Sequence, residues 1–399
     1  MQHTDVIVAG GGIAGLTAAY AFAQAGFDVV CVDPTPLITD RSEVGADLRS
    51  TAFLQPSQAF LQEIGLWDKV SDHSSPLEVM RIIDAGGVES PPIIRLQKDF
   101  VASDVSDLPF GWNVPNYILR REFQTAASAH PNITLKSGAR AIKLFTRMTE
   151  ARVTFDDGDV YKCKLVIAAD GRHSTMRQIA GIDVSTTRYG QTALAFAVTH
   201  AIPHQNISTE IHRKGGPFTL VPLPDYQGHP SSAIVWMEKN SEADRLRGLE
   251  TAGFETEMNQ RSCGVLGDLK LITQLSAWPM MSQIAERLNG QRVALIAEAA
   301  HVVPPIGAQG LNMSLGDIRT LVELGSDAPN EIGSERMLEA YNKARLPDIR
   351  TRVTGISLLN QASMAENQTL RNLRAVGLET LYSLPPVRKT LMKMGLGSR

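Results

Sequence analysis

Three clusters of residues in this 399-residue chain have types and spacings that could do chemistry. The first is Gly10, Gly12 and Gly15 in DVIVAGGGIAGLTAAY, spaced G-x-G-x-x-G, with Asp33 eighteen residues beyond Gly15. That pattern suits a dinucleotide. The first glycine lets the chain turn sharply out of a strand, the second lets a pyrophosphate approach the backbone, and the third lets the helix pack closely on the strands. The phosphate would rest on the helix N-terminus, and the later acid would hold a ribose hydroxyl. The second cluster is Asp170-Gly171-Arg172-His173-Ser174-Thr175-Met176-Arg177. Its acid–glycine corner can hydrogen-bond sugar hydroxyls or a polar cofactor bridge, Ser174 can cap a helix, and Arg177 can neutralise phosphate or pair with an acid. The third runs from Leu295 to Asn312, LIAEAAHVVPPIGAQGLN. Glu298 stands at a strand end, Pro304 and Pro305 stiffen a turn, and Gly307 and Gly310 bracket a loop that opens a helix. The amides of that helix end favour negative charge lying against the loop. His301 reads as a packing and hydrogen-bonding residue at the strand end.

Elements must hold these clusters in place. Val6–Val8 and Val29–Val32 are apolar, β-branched runs on either side of an Ala- and Leu-rich helical stretch, which makes a βαβ opening. The segment 34–47 is polar and loop-like. Leu48–Val70 has helical spacing at Phe53, Phe60, Leu61, Ile64 and Leu66, with Arg49 at its start, where it could reach a phosphate or a cofactor ring. Val79–Pro109 reads as short strands with turns at Gly86-Gly87 and Pro91-Pro92. Asn116–Ala127 reads as a helix carrying Arg120 and Arg121, Ile133–Phe145 and Ala151–Phe155 as a small meander, and Lys164–Ala169 as a buried strand leading to Asp170. From Gln191 onward, alternating runs at Ala193–Val198, Ile207–His212, Phe218–Leu223 and Ser232–Met237 predict an antiparallel sheet. Helices are expected around Ser241–Asn259 and Gly264–Thr273, a buried strand at Arg292–Ala297, and helix from Gly310 almost to the end.

Composition bounds the function. The chain is 43% hydrophobic and 20% charged, ordinary for a globular protein with a core, and its net charge of −3 argues against a nucleic-acid surface. Cys31, Cys163 and Cys263 lie far apart, so neither a zinc site nor a disulfide framework is expected, and a reducing cytoplasm fits. No uninterrupted apolar run is long enough to span a membrane, and the N-terminus lacks the features of a signal peptide. Leu370–Gly397 mixes apolar residues with Arg371, Arg374, Arg388, Lys389 and Lys393, a composition that suits either contact with an anionic membrane surface or a packed C-terminal helix pair with a solvated basic side.

The three motifs, in this order and spacing, resemble the class A flavoprotein monooxygenases with the p-hydroxybenzoate hydroxylase fold, most closely at VPPIGAQGLN. The stretches DLRSTAFLQPSQAFLQEIGLW, YGQTALAFAVTHAIPHQN, GGPFTLVPLP, SAIVWME, YNKARLPD and GLETLYSLPPVRKTLMKMGLG are similar to the ubiquinone-biosynthesis hydroxylases of the Ubi/VisC type. The resemblance implies an α/β architecture: a Rossmann-like FAD-binding domain, an inserted antiparallel substrate sheet, and C-terminal helices. The expected division is residues 1–72, 103–183 and 284–329 for FAD binding, 73–102 and 184–283 for the substrate sheet, and 330–399 for the C-terminal helical region. Gly10, Gly12, Gly15 and Asp33 then match the ADP-binding positions. Arg49 and Arg120 match positions that touch flavin or pyrophosphate, and Asp170 and Gly171 match a corner used by both FAD and NAD(P)H. Glu298 falls where the family places an aspartate that holds the ribityl chain. Pro305, Gly307, Gly310 and Asn312 match the loop lining the flavin ring.

Two departures stand out. Ala297-Glu298 replaces the family's usual Gly-Asp, and Asp33 replaces its more common glutamate. The implied chemistry is reduction of FAD by NADH or NADPH, reaction with O2 to a flavin C4a-hydroperoxide, and hydroxylation of a polyprenylated phenol or benzoquinol in ubiquinone biosynthesis. Pro305, Gly307 and His212 are the candidate catalytic residues. His212 and Tyr189 lie in or near the substrate sheet, where either could touch a phenol. Phe218, Thr219, Leu220, Val221, Pro222 and Trp236 are expected to line an apolar pocket facing the flavin. No nucleic acid is expected as a partner. A peripheral membrane contact on the inner face through the C-terminal helices, and a complex with other ubiquinone-pathway proteins, remain open. So do two alternatives: an FAD monooxygenase of a soluble aromatic compound, and a non-catalytic flavin-binding assembly subunit.

Overall fold

A computed structural model describes residues 1–35, 47, 49–86, 92–213, 215–364, 379 and 382–396. Its first core is a six-stranded sheet in the order Asn289–Gly290, Val293–Leu295, Leu165–Ala168, Val6–Ala9, Val29–Asp33 and Ile133–Ser137. All neighbours but the Asn289–Gly290 edge pair are parallel. Parallel strands need crossovers that cover their faces, so the strand residues are apolar on both sides rather than alternating. Val6, Ile7, Val8, Leu165, Val166 and Ile167 are accordingly all buried. The helices Ile13–Gln24, Asn116–Ala129 and Gln309–Asp327 pack around this core.

The second core is a nine-stranded sheet. Its main path runs His301–Val302, Ser276–Ala285, Val184–His200, His229–Lys239, Phe218–Tyr226, Ile207–His212, Val79–Asp84 and Leu96–Val101, and Leu269–Leu271 pairs with Val184–His200. It is antiparallel as expected except where Ile207–His212 runs parallel to Val79–Asp84, two strands far apart in sequence. One face is packed by the helices Asn240–Arg247 and Thr251–Arg261, through Phe196, Phe218, Trp236, Leu246, Phe254 and Met258.

Several elements differ from the sequence reading. Leu48–Val70 is not one helix: Ser50–Leu54 is a strand paired with Gly111–Pro115, and the helix is only Gln55–Glu63. The helical spacing of Phe53 was coincidental, since its burial comes from the first core and the ring of Trp67. Ile133–Ser137 joins the parallel sheet rather than a meander, which instead comprises Ala141–Thr146, Ala151–Phe155 and Val160–Cys163. Gly264–Thr273 forms no helix but carries the short strand Leu269–Leu271, because Gly264 and Gly267 adopt left-handed φ values of 65° and 73°. The expected helix 241–259 is two helices, Asn240–Arg247 and Thr251–Arg261. The buried strand near 292 is shorter than expected, Val293–Leu295. The turns read at Gly87 and Pro91, most of the 34–47 loop, and Arg371 and Arg374 lie outside the described residues. Toward the C-terminus the described helices are Gln309–Asp327, Glu335–Ser363 and Pro385–Leu396, and none of the described helices is long and apolar enough to cross a membrane.

Candidate active site

The first two motifs meet because their strands are neighbours. Ala9 pairs with Ala168, so both chains leave the parallel sheet at the same edge. Gly10 has φ +109°, and a Cβ there would stand 2.2 Å from the Ala169 carbonyl oxygen. A Cβ on Gly15 would stand 1.8 Å from the Gly10 carbonyl oxygen, so only glycine lets the helix seat on the turn. Gly12 differs: a Cβ would meet nothing within 4 Å. Its face is open, and it lines a cavity of about 470 Å³ with Gly10, Asp33, Arg120, Asp170 and Gly171. That volume falls within the range of small-molecule sites.

The cavity walls fit a dinucleotide. Asp33 accepts hydrogen bonds from the Gly11 and Thr35 amides, which fixes its carboxylate at the strand end, and the Arg120 guanidinium lies 3.8 Å away. Arg120 Nε is buried without a hydrogen-bond partner among the described residues, a cationic donor on the wall of the cavity. Arg140, His173 and Thr175 also line it; the sequence reading included His173 and Thr175 in its second cluster without giving them a role, and missed Arg140. Arg140 sits beside the meander strand Ala141–Thr146, and nothing in its local sequence marks it.

The acid–glycine corner folds partly on itself. Asp170 accepts from the Ser174 hydroxyl and, at 3.0 Å, from the Met176 amide. Ser174 in turn caps the helix Thr175–Ile179 by accepting from the Arg177 amide at 3.0 Å. Arg177 does not line the cavity. It is buried, and it donates to the carbonyl oxygens of Ala299 and Arg172, both at 3.0 Å. Burial pulls its pKa below the usual arginine value, although Asp170 opposes this. Its effect is to tie the second motif to the third.

The third motif lies between the two cores. Glu298 does not end the strand but sits in the short helix Ala297–Ala300. Ala297 has φ +53°, which explains the family's glycine at that position; a Cβ there costs on the order of 1 kcal/mol. Arg49 lies on the extended chain just before Ser50–Leu54. It holds Asp47 through two 2.7 Å hydrogen bonds and stacks 4.5 Å from the ring centroid of Trp278. Burial disfavours its charge, but Asp47 and the more distant Glu298 carboxylate prevail, and its pKa is raised. Arg49 and Glu298, read separately from sequence, are therefore in electrostatic contact.

Gly307 and Ala308 are both left-handed, with φ of 63° and 55°, and they turn the chain into the helix Gln309–Asp327. Asn312 commits both amide hydrogens to the carbonyl oxygens of Ala52 and Ala308, and its own oxygen accepts from the Leu54 amide at 2.9 Å. It clamps the helix start to a strand and so positions the loop. Ile306 packs on Ala193, Met237 and Met280 of the large sheet. That contact identifies the sheet face turned toward the loop, and it corrects one expectation. Phe218, Leu220 and Trp236 point the other way, into the core with Phe254. Alternation along the strands leaves Thr219, Val235 and Met237 on the loop side.

His301 bonds Asp317 at 2.7 Å, and Arg345 reaches the other oxygen of the same carboxylate at 2.8 Å. A chain of contacts then runs from Arg345 to Asp348, to Arg352, to Gln309 and to the Gly307 carbonyl. The flavin-ring loop expected from the sequence is thus braced by the helix Glu335–Ser363.

Comparison with known proteins agrees with this geometry. Residues 3–356 match the family model described as FAD binding domain. The ubiquinone hydroxylase UbiL of Rhodospirillum rubrum is 30% identical, over 99% of this chain and 90% of its own length. The 3-demethoxyubiquinol 3-hydroxylase of Escherichia coli is 26% identical over 99% of both chains. Among solved structures, p-nitrophenol 4-monooxygenase PnpA of Pseudomonas putida superposes with a TM-score of 0.81 over the whole of both chains at 18% identity. PqsL of Pseudomonas aeruginosa, in complex with 2-aminobenzoylacetate, superposes with 0.76 over 92% of this chain and 99% of its own at 20% identity. With the glycine turn, the acid–glycine corner and the proline–glycine loop carried by one fold, the chain belongs to the FAD binding domain family and is an FAD-dependent monooxygenase of the p-hydroxybenzoate hydroxylase fold.

Proposed function

We propose that this enzyme hydroxylates the ring of a polyprenylated phenol or benzoquinol in ubiquinone biosynthesis, using NADH or NADPH and O2. The observation that carries the reading is the apolar sheet face of Ala193, Met237 and Met280, closed by Ile306 of the proline–glycine loop. A flavin ring against that loop would face a greasy wall suited to a prenylated ring. The names of the relatives support the same substrate class.

In this reading Gly10, Gly12, Gly15, Asp33 and Arg120 hold the ADP half, while Asp170, Gly171, Arg49 and Glu298 hold the bridge and ribityl chain. Pro305, Gly307 and Gly310 line the ring, and Asn312 fixes their helix. Bound FAD supplies the electron transfer from nicotinamide and the activation of O2. The chain's own residues position the ring, and the loop amides stabilise negative charge on it. Residues 1–72, 103–183 and 284–329 then form the flavin unit, and 73–102 with 184–283 form the substrate unit.

The test is to purify the protein and titrate it with FAD. NAD(P)H oxidation and hydroxylated product are then followed with prenylated and unprenylated phenols. Preference for the prenylated set supports the reading. Preference for short phenols would make it a soluble-aromatic hydroxylase, and FAD binding without substrate-stimulated turnover would make it an assembly subunit.

A cytoplasmic enzyme working on such a substrate would gain from lying on the membrane. Leu358, Leu359, Leu384 and Val387 are exposed, and Lys389 and Lys393 are exposed on the last helix. Flotation with anionic vesicles, reversed by salt, tests this contact. Co-purification with other ubiquinone-pathway proteins tests the expected complex.

A further inference from the structure

We propose that His212, held by Glu210, is the base that accepts the proton of the substrate's ring hydroxyl. The assignment rests on the ring-hydroxylase reading above and adds a named proton acceptor to it.

Ile211 points into the core with Phe218, Trp236 and Phe254. Its neighbours Glu210 and His212 therefore point to the opposite face. Register then places His212 within that face. Ile211 pairs with Phe218 and Phe218 with Trp236, so His212 stands in one transverse row with Pro217 and Met237. The row continues to Ala193 and Trp278 on one side and to Asp84 on the other. Met237 and Ala193 carry Ile306 of the proline–glycine loop. His212 is two strand spacings from Met237, about 10 Å, on the side of the sheet where the substrate ring would lie.

Its bonding state suits a base. The side chain is 9% exposed, and Nε2 lies 2.7 Å from Glu210 Oε1. Nδ1 is buried and has no hydrogen-bond partner among the described residues. A neutral imidazole that donates Nε2–H to the carboxylate keeps its lone pair on Nδ1, so the unpartnered atom is the acceptor. A buried polar atom without a partner costs free energy, and a substrate hydroxyl would supply the missing bond. In the step, the phenol O–H bond breaks and its electron pair stays on oxygen. The proton forms a bond to Nδ1, and Glu210 stabilises the resulting imidazolium. The phenolate then pushes electron density into the ring, which favours attack by an electrophilic oxygen at its ortho and para carbons. No redox change occurs in this step. Other charged groups on this face among the described residues include Asp84, beside His212 in its row, Lys98, two strands from Glu210 in its row, and Arg49, stacked on Trp278 at the far end of His212's row.

The probes are 2-geranylphenol and a ring-fluorinated 2-geranylphenol with a more acidic hydroxyl, added to the FAD-loaded enzyme at one fixed pH. In the wild type, bound 2-geranylphenol should give the red-shifted absorption of a phenolate. His212→Gln should abolish that band and lower turnover about 10²- to 10³-fold, with a much smaller loss on the fluorinated phenol, which ionises without help. Glu210→Gln should keep the band but weaken it. A neutral phenol bound to the wild type, a phenolate band that survives in His212→Gln, or equal losses on both phenols would overturn the proposal. Wild-type enzyme that holds FAD yet hydroxylates neither phenol would overturn the ring-hydroxylase reading, and the role of the dyad with it.

Discussion

His301 Nε2 lies 2.7 Å from the Asp317 carboxylate, and both side chains are wholly buried. They stand at opposite ends of the proline–glycine loop, His301 on the last strand of the large sheet and Asp317 two turns into the helix that follows. The bond closes that loop, and Arg345 supplies the opposite charge.

Removing the acid should therefore be severe. Asp317→Ala leaves the buried His301 beside a void without its partner and the half-buried Arg345 with Asp348 alone, and should cost about 3 kcal/mol of stability. Asp317→Asn, which keeps the volume, should cost less. Urea unfolding of the apoprotein measures both. An Asp317→Ala variant as stable as the wild type would show that the network does not brace the loop.

Gly12 and Gly15 should separate cofactor binding from folding. Gly15→Ala forces a methyl to within 1.8 Å of the Gly10 carbonyl oxygen, an overpacking worth about 1–3 kcal/mol. Gly12→Ala meets nothing, and apoprotein stability should move by less than about 0.5 kcal/mol. In the proposed binding mode the same methyl would stand where the pyrophosphate approaches, so FAD affinity should fall about tenfold or more, roughly 1.4 kcal/mol. Thermal melts without FAD and flavin fluorescence titrations distinguish the two variants.

Thiol chemistry reports on the cores. Burial, with help from the Asp33 charge, pushes the Cys31 thiol up to about 12, and burial alone pushes Cys163 to about 12. At pH 8 each is a thiolate in roughly one molecule in 10⁴. Cys263 is half-buried and its pKa is also raised. The native protein should label slowly with a thiol reagent and only at Cys263, whereas all three cysteines should react in denaturant. Fast native labelling of Cys31 would contradict the packing beneath the glycine turn.

Asp47 gives a pH dependence with a definite sign. Burial pushes its carboxyl up, but the hydrogen bonds and charge of Arg49, with the Asn116 amide, outweigh this and hold it below the usual aspartate value. Its contribution is therefore present above the unfolded pKa of about 3.9 and fades as pH falls through the folded value. Asp47→Asn should cost less than about 1 kcal/mol at pH 7, since the pair is partly exposed, and the gap from wild type should close on acidification. Urea midpoints from pH 7 to pH 3 test this, and a gap that widens toward acid would refute it.

The glycine turn, the acid at the end of the second strand and the proline–glycine bend were readable before any fold was known. Each depends on neighbours within a few residues: φ at Gly10, a missing Cβ at Gly15, a helix start after Gly307. The parallel core was readable for the same reason, because strands buried on both faces are apolar without alternation. Other features depend on partners far along the chain. Ser50–Leu54 is a strand because Gly111–Pro115 lies beside it. Arg177 reaches Ala299, and Arg49 finds Trp278. The direction in which Phe218 and Trp236 face was set by the helices Asn240–Arg247 and Thr251–Arg261, which cover one side of their sheet. Period-two alternation tells that two faces exist, but only packing chooses which one meets the proline–glycine loop, and His212 lies on that face.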